Sequence, residues 1–265
     1  MKNNFKKKVL LKALLLSFLS VLFLASCSND DEPVKDDDVE IIDDTPSSTS
    51  NYYKVLRAEN FGYTLADGNE LEDKAVLYYS LVDNKAVGSE YRKTSRWDLG
   101  FSGLYSSFLS GNNGANTGNL GSGNSAIGGI YIVEQAFDEV VNVPNDAVFK
   151  TGDRIYGTDD AGDFGGGVGW YLYDFDGIFV RDGAYDNAHI AYALGEPLLL
   201  KSGNTVPART LIVKTAKGDY AKIKMISVYK DILKREDYTR KSPKMFFTFE
   251  YVLVPKGSTK FEIKK

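Results

Sequence analysis

Short runs of apolar and aromatic residues, separated by clusters of Gly, Asn and Asp, occupy the chain from Tyr52 onward. Runs of about four to eight such residues between turn-forming residues are typical of β-strands. Helix is expected to be scarce, with a single turn at residues 136–140. The pattern therefore predicts an all-β fold. The predicted strands cover residues 75–82, 97–101, 130–133, 169–173, 209–215, 220–229 and 245–254.

The last third of the chain gives the clearest strand signal. Two β-type runs, 209–215 and 220–229, flank the turn-forming residues Lys217, Gly218 and Asp219. Because a Gly-containing turn joins them, the two runs predict an antiparallel hairpin. In the second run Met225 alternates with lysines, so its side chain is expected to face the core. Residues 245–254 follow as a predicted central strand.

The first 27 residues have the pattern of a bacterial export signal. Five lysines open the chain, an apolar stretch follows, and Ala25-Ser26-Cys27 ends the segment. The stretch is shorter than the roughly 20 apolar residues of a transmembrane helix. Cys27, the only cysteine of the chain, stands where a lipoprotein signal peptidase requires one. We expect residues 1–26 to be removed and acyl chains such as palmitate on Cys27 to anchor the protein to a membrane.

Residues 27–50 are expected to form a disordered tether, because nine acidic residues and few apolar ones cannot form a packed core. The acidic start, Cys27 to Glu32, resembles the signal that sends lipoproteins to the outer face of the outer membrane; a simple solvated spacer is the alternative. The predicted β domain spans residues 51–265, and its charge is close to neutral. Since it has no basic stripe, nucleic-acid binding is not expected.

Candidate chemistry is sparse, and no enzyme is predicted. His189 is the only histidine, so no histidine pair can hold a metal. A nucleophile motif occurs only weakly around Ser122, and a calcium loop at Asp159, Asp160 and Asp163 lacks the required spacing. The Gly- and Asn-rich residues 103–129 do not match a phosphate cradle. A loop of that length inside a domain is often functional or mobile.

Several motifs nevertheless occur in an order shared with a known family. They are Trp97 to Phe101, Gly128-Gly129, Val143 to Asp146, Gly169 to Tyr171, Thr210 to Lys224, Tyr229 to Asp231 and Phe247 to Tyr251. The series, from Tyr52 to about Thr259, resembles the HmuY-like haem-binding lipoproteins. The resemblance implies a mostly antiparallel β fold with short hairpins on the outer surface of Gram-negative cells. It also implies that haem taken from host proteins is passed to a TonB-dependent outer-membrane receptor.

In that family two axial side chains, either His or Met, hold the haem. Here residues 157–163 contain neither, and Tyr171 and Tyr173 follow Trp170 where the second ligand is expected. His189 is then the candidate ligand of the haem iron, because imidazole is the commonest haem ligand. Other candidate cofactor-binding residues are Tyr171, Tyr173 and Met245, with Tyr156 and Tyr185 as further tyrosines and Met245 also expected in the core. Two imidazoles on one haem would require a homodimer.

Two functions stay open on this basis. In the first, the chain is a surface lipoprotein that binds haem in an aromatic-lined cleft between β-hairpins, with His189 as a ligand, and delivers it to a TonB-dependent receptor. In the second, the scaffold is retained without haem, and the chain is an accessory subunit of an outer-membrane uptake complex. The number of suitable ligands separates the two, since only one histidine is present.

Overall fold

The strand-like runs form thirteen β-strands within residues 51–63 and 76–264, which are the residues described by the computed structural model. No α-helix is present in this part of the chain, and its 3₁₀ segments include five turns of three residues each. The predicted all-β fold is therefore confirmed. The strands are β1 Val55–Gly62, β2 Leu77–Ser80, β3 Lys85–Val87, β4 Leu99–Ser102, β5 Phe108–Gly111, β6 Gly129–Val133, β7 Tyr171–Asp174, β8 Ile190–Ala193, β9 Leu198–Leu199, β10 Thr205–Val206, β11 Thr210–Lys214, β12 Tyr220–Tyr229 and β13 Lys244–Val254.

The larger sheet has five antiparallel strands in the order β1-β13-β12-β11-β6. The predicted hairpin is confirmed, because β11 and β12 pair from Leu211 with Ile223 to Lys214 with Tyr220. Gly218 supplies the turn with a φ of +100°, a backbone conformation that favours glycine. β13 pairs with both β1 and β12, so its prediction as an interior strand is also confirmed.

A second antiparallel sheet, in the order β3-β2-β4-β5, packs against one face of the larger sheet. Aromatic rings join the two: the ring centroids of Phe101 and Phe247 lie 4.6 Å apart, and those of Tyr79 and Phe249 lie 5.2 Å apart. Burying each such side chain contributes roughly 1.5–3 kcal/mol. Met225 is 2% exposed within this core, as predicted.

The start of β4 differs from the sequence prediction, which began this strand at Trp97. The Asp98 carboxylate is buried and accepts hydrogen bonds from the backbone N–H groups of Leu81, at 2.8 Å, and Ala216, at 2.9 Å. The Trp97 indole N–H donates to the Arg92 carbonyl oxygen at 2.9 Å. These side chains connect neighbouring segments, and strand pairing begins only at Leu99.

The other face of the larger sheet is covered by the turn predicted at residues 136–140. The turn is confirmed by a hydrogen bond of 3.0 Å from the Glu139 N–H to the Ala136 carbonyl oxygen. Lys222, on β12, reaches this turn and donates to the carbonyl oxygens of Phe137, at 2.7 Å, and Val140, at 3.0 Å. A buried ammonium group thus holds the turn against the sheet.

The Gly- and Asn-rich stretch has a defined conformation, which its asparagine amides hold. The Asn119 amide nitrogen donates to the carbonyl oxygens of Gly111 at 2.8 Å and Thr151 at 2.7 Å, and its amide oxygen accepts from the Gly121 N–H at 2.8 Å. Asn112 donates to the Trp97 carbonyl oxygen at 2.8 Å. Buried amides of this kind satisfy backbone groups that would otherwise lack partners.

The predicted export signal at residues 1–26, Cys27 and the tether up to residue 50 lie outside the described residues and stay predictions. Between residues 51 and 264, leaving out 64–75, no helix is long and apolar enough to cross a bilayer.

Candidate functional site

β7 and β8 form a separate two-stranded sheet, and one of its faces carries most of the candidate ligands. Because side chains alternate between faces along a strand, Tyr171 and Tyr173 share a face, and Ala191 lies opposite Tyr173 on β8. The His189 N–H donates to the Phe175 carbonyl oxygen at 3.0 Å, which extends the ladder beyond β8. The alternation therefore also brings His189 and Phe175 to this face.

This face forms one wall of a cavity of about 350 Å³. Val228 at the end of β12, Met245 and Phe247 on β13, and the segment around Leu104 form other parts of its lining. The volume falls within the range of about 300–1,000 Å³ that is typical of small-molecule sites. Half of the lining residues are Phe, Tyr or Trp: Tyr105, Phe108, Phe164, Trp170, Tyr171, Tyr173, Phe175 and Phe247.

Trp170 and Tyr171 fix the segment that contains Ser107. The Trp170 indole N–H donates to the Ser107 carbonyl oxygen at 2.7 Å, and the Tyr171 hydroxyl donates to Ser107 Oγ at 3.0 Å. Both side chains are buried, and burial raises the pKa of the Tyr171 phenol. Tyr171 therefore lines the cavity as a neutral phenol whose hydroxyl is already hydrogen-bonded.

The His189 imidazole lies between two aromatic neighbours. Its Nδ1 atom is 2.9 Å from the Tyr173 hydroxyl oxygen, and the Phe175 ring packs edge-on against it with a centroid distance of 4.5 Å. Burial, followed by the positive charges of Arg240 and Lys244, lowers the pKa of His189 below 6.5. The ring is therefore neutral at neutral pH, and Nε2 has no hydrogen-bond partner among the described residues.

The four candidate tyrosines fall into two groups. Tyr171 and Tyr173 line the cavity, whereas Tyr156 and Tyr185 do not. Tyr156 is 5% exposed in the main core, and Tyr185 is 68% exposed beneath the Arg240 guanidinium. Burial raises the pKa of Tyr173 to about 12, so its hydroxyl also keeps its proton at neutral pH.

Met245 lines the cavity from an irregular part of β13. Its φ is +67°, and the pairing of β12 with β13 shifts register between Ser227 and Tyr229. The Met245 carbonyl oxygen approaches Gly62 so closely that a Cβ atom there would lie only 1.9 Å away. Glycine at this position therefore allows the irregular backbone to pair with β1. The Met245 side chain is 3% exposed, buried as expected of a core residue as well as facing the cavity.

Backbone strain is concentrated around the cavity. Ten non-glycine residues of the described segments have a positive φ, and four of them line the cavity: Tyr105, Phe164, His189 and Met245. The left-handed region costs most residues on the order of 1–3 kcal/mol and is a rare setting for bulky side chains. Such strain clusters at ligand-binding sites, because surrounding packing must hold the side chains in place.

Several lining residues were not anticipated from the sequence, above all Phe164, Phe175 and Lys244. Phe164 is 76% exposed within the glycine cluster before Trp170, and Phe175 follows directly on β7. An aromatic residue among glycines is the one signal that could have indicated Phe164. Lys244 also lines the cavity, and its Nζ atom donates to the Arg240 carbonyl oxygen at 2.9 Å.

The structure does not place the aspartates of residues 159–163 as a calcium loop. The Asp159 carboxylate is buried and forms an ion pair with Arg209 at 2.9 Å, and the Asp163 carboxylate accepts from the Phe175 N–H at 2.8 Å. In the described part of the chain, no group of three or more His, Cys, Asp or Glu side chains is placed to hold a metal ion.

No protein-family model matches the sequence, and no curated protein matches it. Solved structures similar to this one include an apo HmuY analogue from Tannerella forsythia, with 14% identity, a TM-score of 0.34, and coverage of 78% of this chain and 100% of that chain. A candidate HmuY-like heme-binding protein from Bacteroides vulgatus has 13% identity, a TM-score of 0.29, and coverage of 78% and 95%. A candidate lipoprotein from Bacteroides fragilis has 13% identity, a TM-score of 0.27, and coverage of 77% and 92%. What the cavity binds depends on its own residues.

Proposed function

We propose that the cavity binds haem and that His189 is a ligand of the haem iron. One observation carries the proposal: an imidazole lines an aromatic cavity with Nδ1 beside Tyr173 and Nε2 without a partner among the described residues. Neutral imidazole is the commonest haem ligand, and the nitrogen that does not bind the metal is usually hydrogen-bonded.

The cavity lining fits a flat, largely apolar macrocycle. Rings of Phe108, Trp170 and Phe247 offer apolar contact, and Phe164 and Phe175 stand partly exposed beside them. Aromatic walls with few polar groups are typical of cofactor sites. The ammonium group of Lys244 is suited to bind a carboxylate of such a ligand.

Haem, when bound, would supply an iron that side-chain donors of the cavity could hold. Nε2 of His189 would be one donor, and the thioether of Met245 is the candidate for a second, because both side chains line the same cavity. Since the chain has a single histidine, a second imidazole would have to come from a second copy. The hydroxyls of Tyr171 and Tyr173, which also line the cavity, are already in contact with Ser107 and His189, so we favour one imidazole and one thioether as the donors.

In this proposal the protein is a lipoprotein, anchored to the outer membrane through Cys27 and facing the exterior. It would deliver haem to a TonB-dependent outer-membrane receptor. These parts rest on the signal-like N-terminus, the acidic residues after Cys27 and the family resemblance of the sequence.

A haemin titration of the full chain in detergent, followed by visible absorption in both oxidation states, tests the proposal. We expect a saturable one-to-one shift of the main haem band and a changed spectrum in His189→Ala. Ala191→Phe should abolish binding, because the new ring fills the cavity without removing a ligand. Ala86→Phe, the same substitution at an exposed position of β3, is the matched control and should bind haemin like the wild type. Haemin in detergent without protein sets the baseline.

A wild-type titration that never saturates would overturn the haem proposal. The accessory-subunit alternative would then be examined by isolating outer-membrane proteins that bind the chain. A saturable shift that is the same in His189→Ala would retain haem but remove His189 as its ligand.

A further inference from the structure

We propose that Tyr173 is a positioning residue for His189: its phenol oxygen can accept the Nδ1 proton and so stabilises the imidazole tautomer in which Nε2 is free to bind iron. The inference rests on the proposed haem function. It concerns two residues that the ladder of β7 and β8 brings together, with the Tyr173 oxygen 2.9 Å from His189 Nδ1.

The imidazole is held on two sides by groups of β7 and the residue that follows it. The Phe175 ring packs edge-on at 4.5 Å, and the Phe175 carbonyl oxygen accepts the His189 N–H at 3.0 Å. His189 has a φ of +59°, so the surrounding contacts fix its backbone in an uncommon conformation. An imidazole ring held in this way has little freedom to rotate and exchange the positions of its two nitrogens.

The direction of the hydrogen bond to Tyr173 changes with the nitrogen that is free to bind iron. A neutral imidazole carries one proton. If Nδ1 carries it and donates to the phenol oxygen, the Nε2 lone pair is free to form the bond to iron. If the phenol donates to Nδ1, the proton is on Nε2 and that bond cannot form. A hydroxyl group can act in either sense, so binding selects the first arrangement. One proton moves from Nε2 to Nδ1 through solvent, and none is released.

Tyr171 provides an internal comparison. It belongs to the same face of the same strand and lines the same cavity, but its hydroxyl donates to Ser107 Oγ at 3.0 Å. Removing the Tyr171 hydroxyl loosens a wall of the cavity. Removing the Tyr173 hydroxyl leaves the Nδ1 proton without its acceptor. The two losses therefore differ in what they do to the ligand of the iron.

The test compares Tyr173→Phe, Tyr171→Phe and His189→Ala in the full chain. Tyr91→Phe is the neutral control, because Tyr91 lies in the 3₁₀ turn Ser89–Tyr91 and does not line the cavity. Haemin affinity is measured by titration, and the axial ligand is identified by electron paramagnetic resonance and magnetic circular dichroism. We expect Tyr173→Phe to keep an imidazole ligand with a shifted signal and to bind haemin about 10- to 100-fold more weakly, the usual effect of losing an outer partner of a metal ligand. Tyr171→Phe should keep the wild-type ligand signal whatever its affinity.

Three outcomes would overturn the inference while leaving haem binding in place. One is a Tyr173→Phe variant with wild-type affinity and signal. Another is the same shift of signal in Tyr171→Phe, which would indicate a general loosening of the cavity. The third is a phenolate signal in the wild type that survives His189→Ala and is lost in Tyr173→Phe, because Tyr173 would then be the ligand itself. Absence of saturable binding in the wild type would instead overturn the proposed function.

Discussion

Removing the Arg209 guanidinium should strongly destabilise the fold, because it leaves the buried Asp159 carboxylate without its countercharge. Asp159 is fully buried, and its Oδ2 atom accepts from Arg209 Nε at 3.0 Å and from the Gly169 N–H at 3.0 Å. Its Oδ1 atom accepts from the Ala161 N–H at 3.0 Å. The carboxylate thus joins the two ends of the loop that carries Phe164 to the cavity.

The magnitude follows from the burial of the two charges. The Arg209 and Asp159 side chains are 4% and 0% exposed. Replacing Arg209 with Met leaves a buried carboxylate without its countercharge, and loss of one partner of a buried pair costs about 3–5 kcal/mol. That is a large part of a total stability of about 5–15 kcal/mol. Arg209 also pairs with Glu134, which is 52% exposed, at 3.1 Å. Loss of such an exposed pair costs only about 0.2–1 kcal/mol.

Urea unfolding, followed by tryptophan fluorescence, measures the difference. We expect Arg209→Met to lower the free energy of unfolding by about 3–5 kcal/mol and Glu134→Gln, the matched control, by less than about 1 kcal/mol. The double variant Asp159→Asn/Arg209→Met should be more stable than Arg209→Met, because it buries no uncompensated charge. Equal losses in Arg209→Met and Glu134→Gln would refute the reasoning.

Three further predictions concern single side chains. Burial raises the pKa of Asp98 from 3.8 to about 6. The folded state therefore binds this proton more tightly than the unfolded state, and lowering the pH from 7 to 5 should stabilise the wild type by about 1 kcal/mol relative to Asp98→Asn in urea unfolding. Asn119→Ala should lower the free energy of unfolding by at least about 2 kcal/mol, because it removes buried hydrogen bonds to Gly111, Thr151 and Gly121; a smaller loss would contradict the role given to the amide. Lys244→Met should weaken haemin binding about two- to fivefold. It should leave the binding of haemin dimethyl ester, which has no free carboxylate, unchanged. An equal effect on both ligands would exclude a contact between Lys244 and a carboxylate.

The sequence predicts those parts of the fold in which local pattern and tertiary structure agree. β12 has the predicted bounds, 220–229, because a long β-type run follows a glycine turn. The prediction that this strand begins at Trp97 is wrong. The Asp98 carboxylate accepts a hydrogen bond from the backbone N–H of Ala216, which lies more than 100 residues away in the chain, and no local pattern indicates this contact. β8 was not predicted at all, since Ile190–Ala193 is a short run whose partner strand, β7, lies beyond an irregular connection.

The candidate site was predictable residue by residue but not as an arrangement. His189, Tyr171, Tyr173 and Met245 could be named because imidazole, phenol and thioether groups are few, and the structure places all four around one cavity. Their proximity depends on how the hairpin of β7 and β8 approaches the end of β13, which no local pattern specifies. Tyr156 and Tyr185 could not be distinguished from Tyr171 and Tyr173 by sequence, because only the fold shows that they lie outside the cavity.

The location of the strained residues links the fold to the proposed function. Glycine would adopt a positive φ at Tyr105, Phe164, His189 and Met245 without strain, yet these positions present rings, an imidazole and a thioether to the cavity. His189 and Met245 are further held by the strand ladders of β8 and β13 rather than by free loops. Groups held in this way need little ordering when a ligand binds, so less binding free energy is lost to conformational entropy. In the proposed function, the strained residues of the cavity would therefore already be in place before the ligand binds.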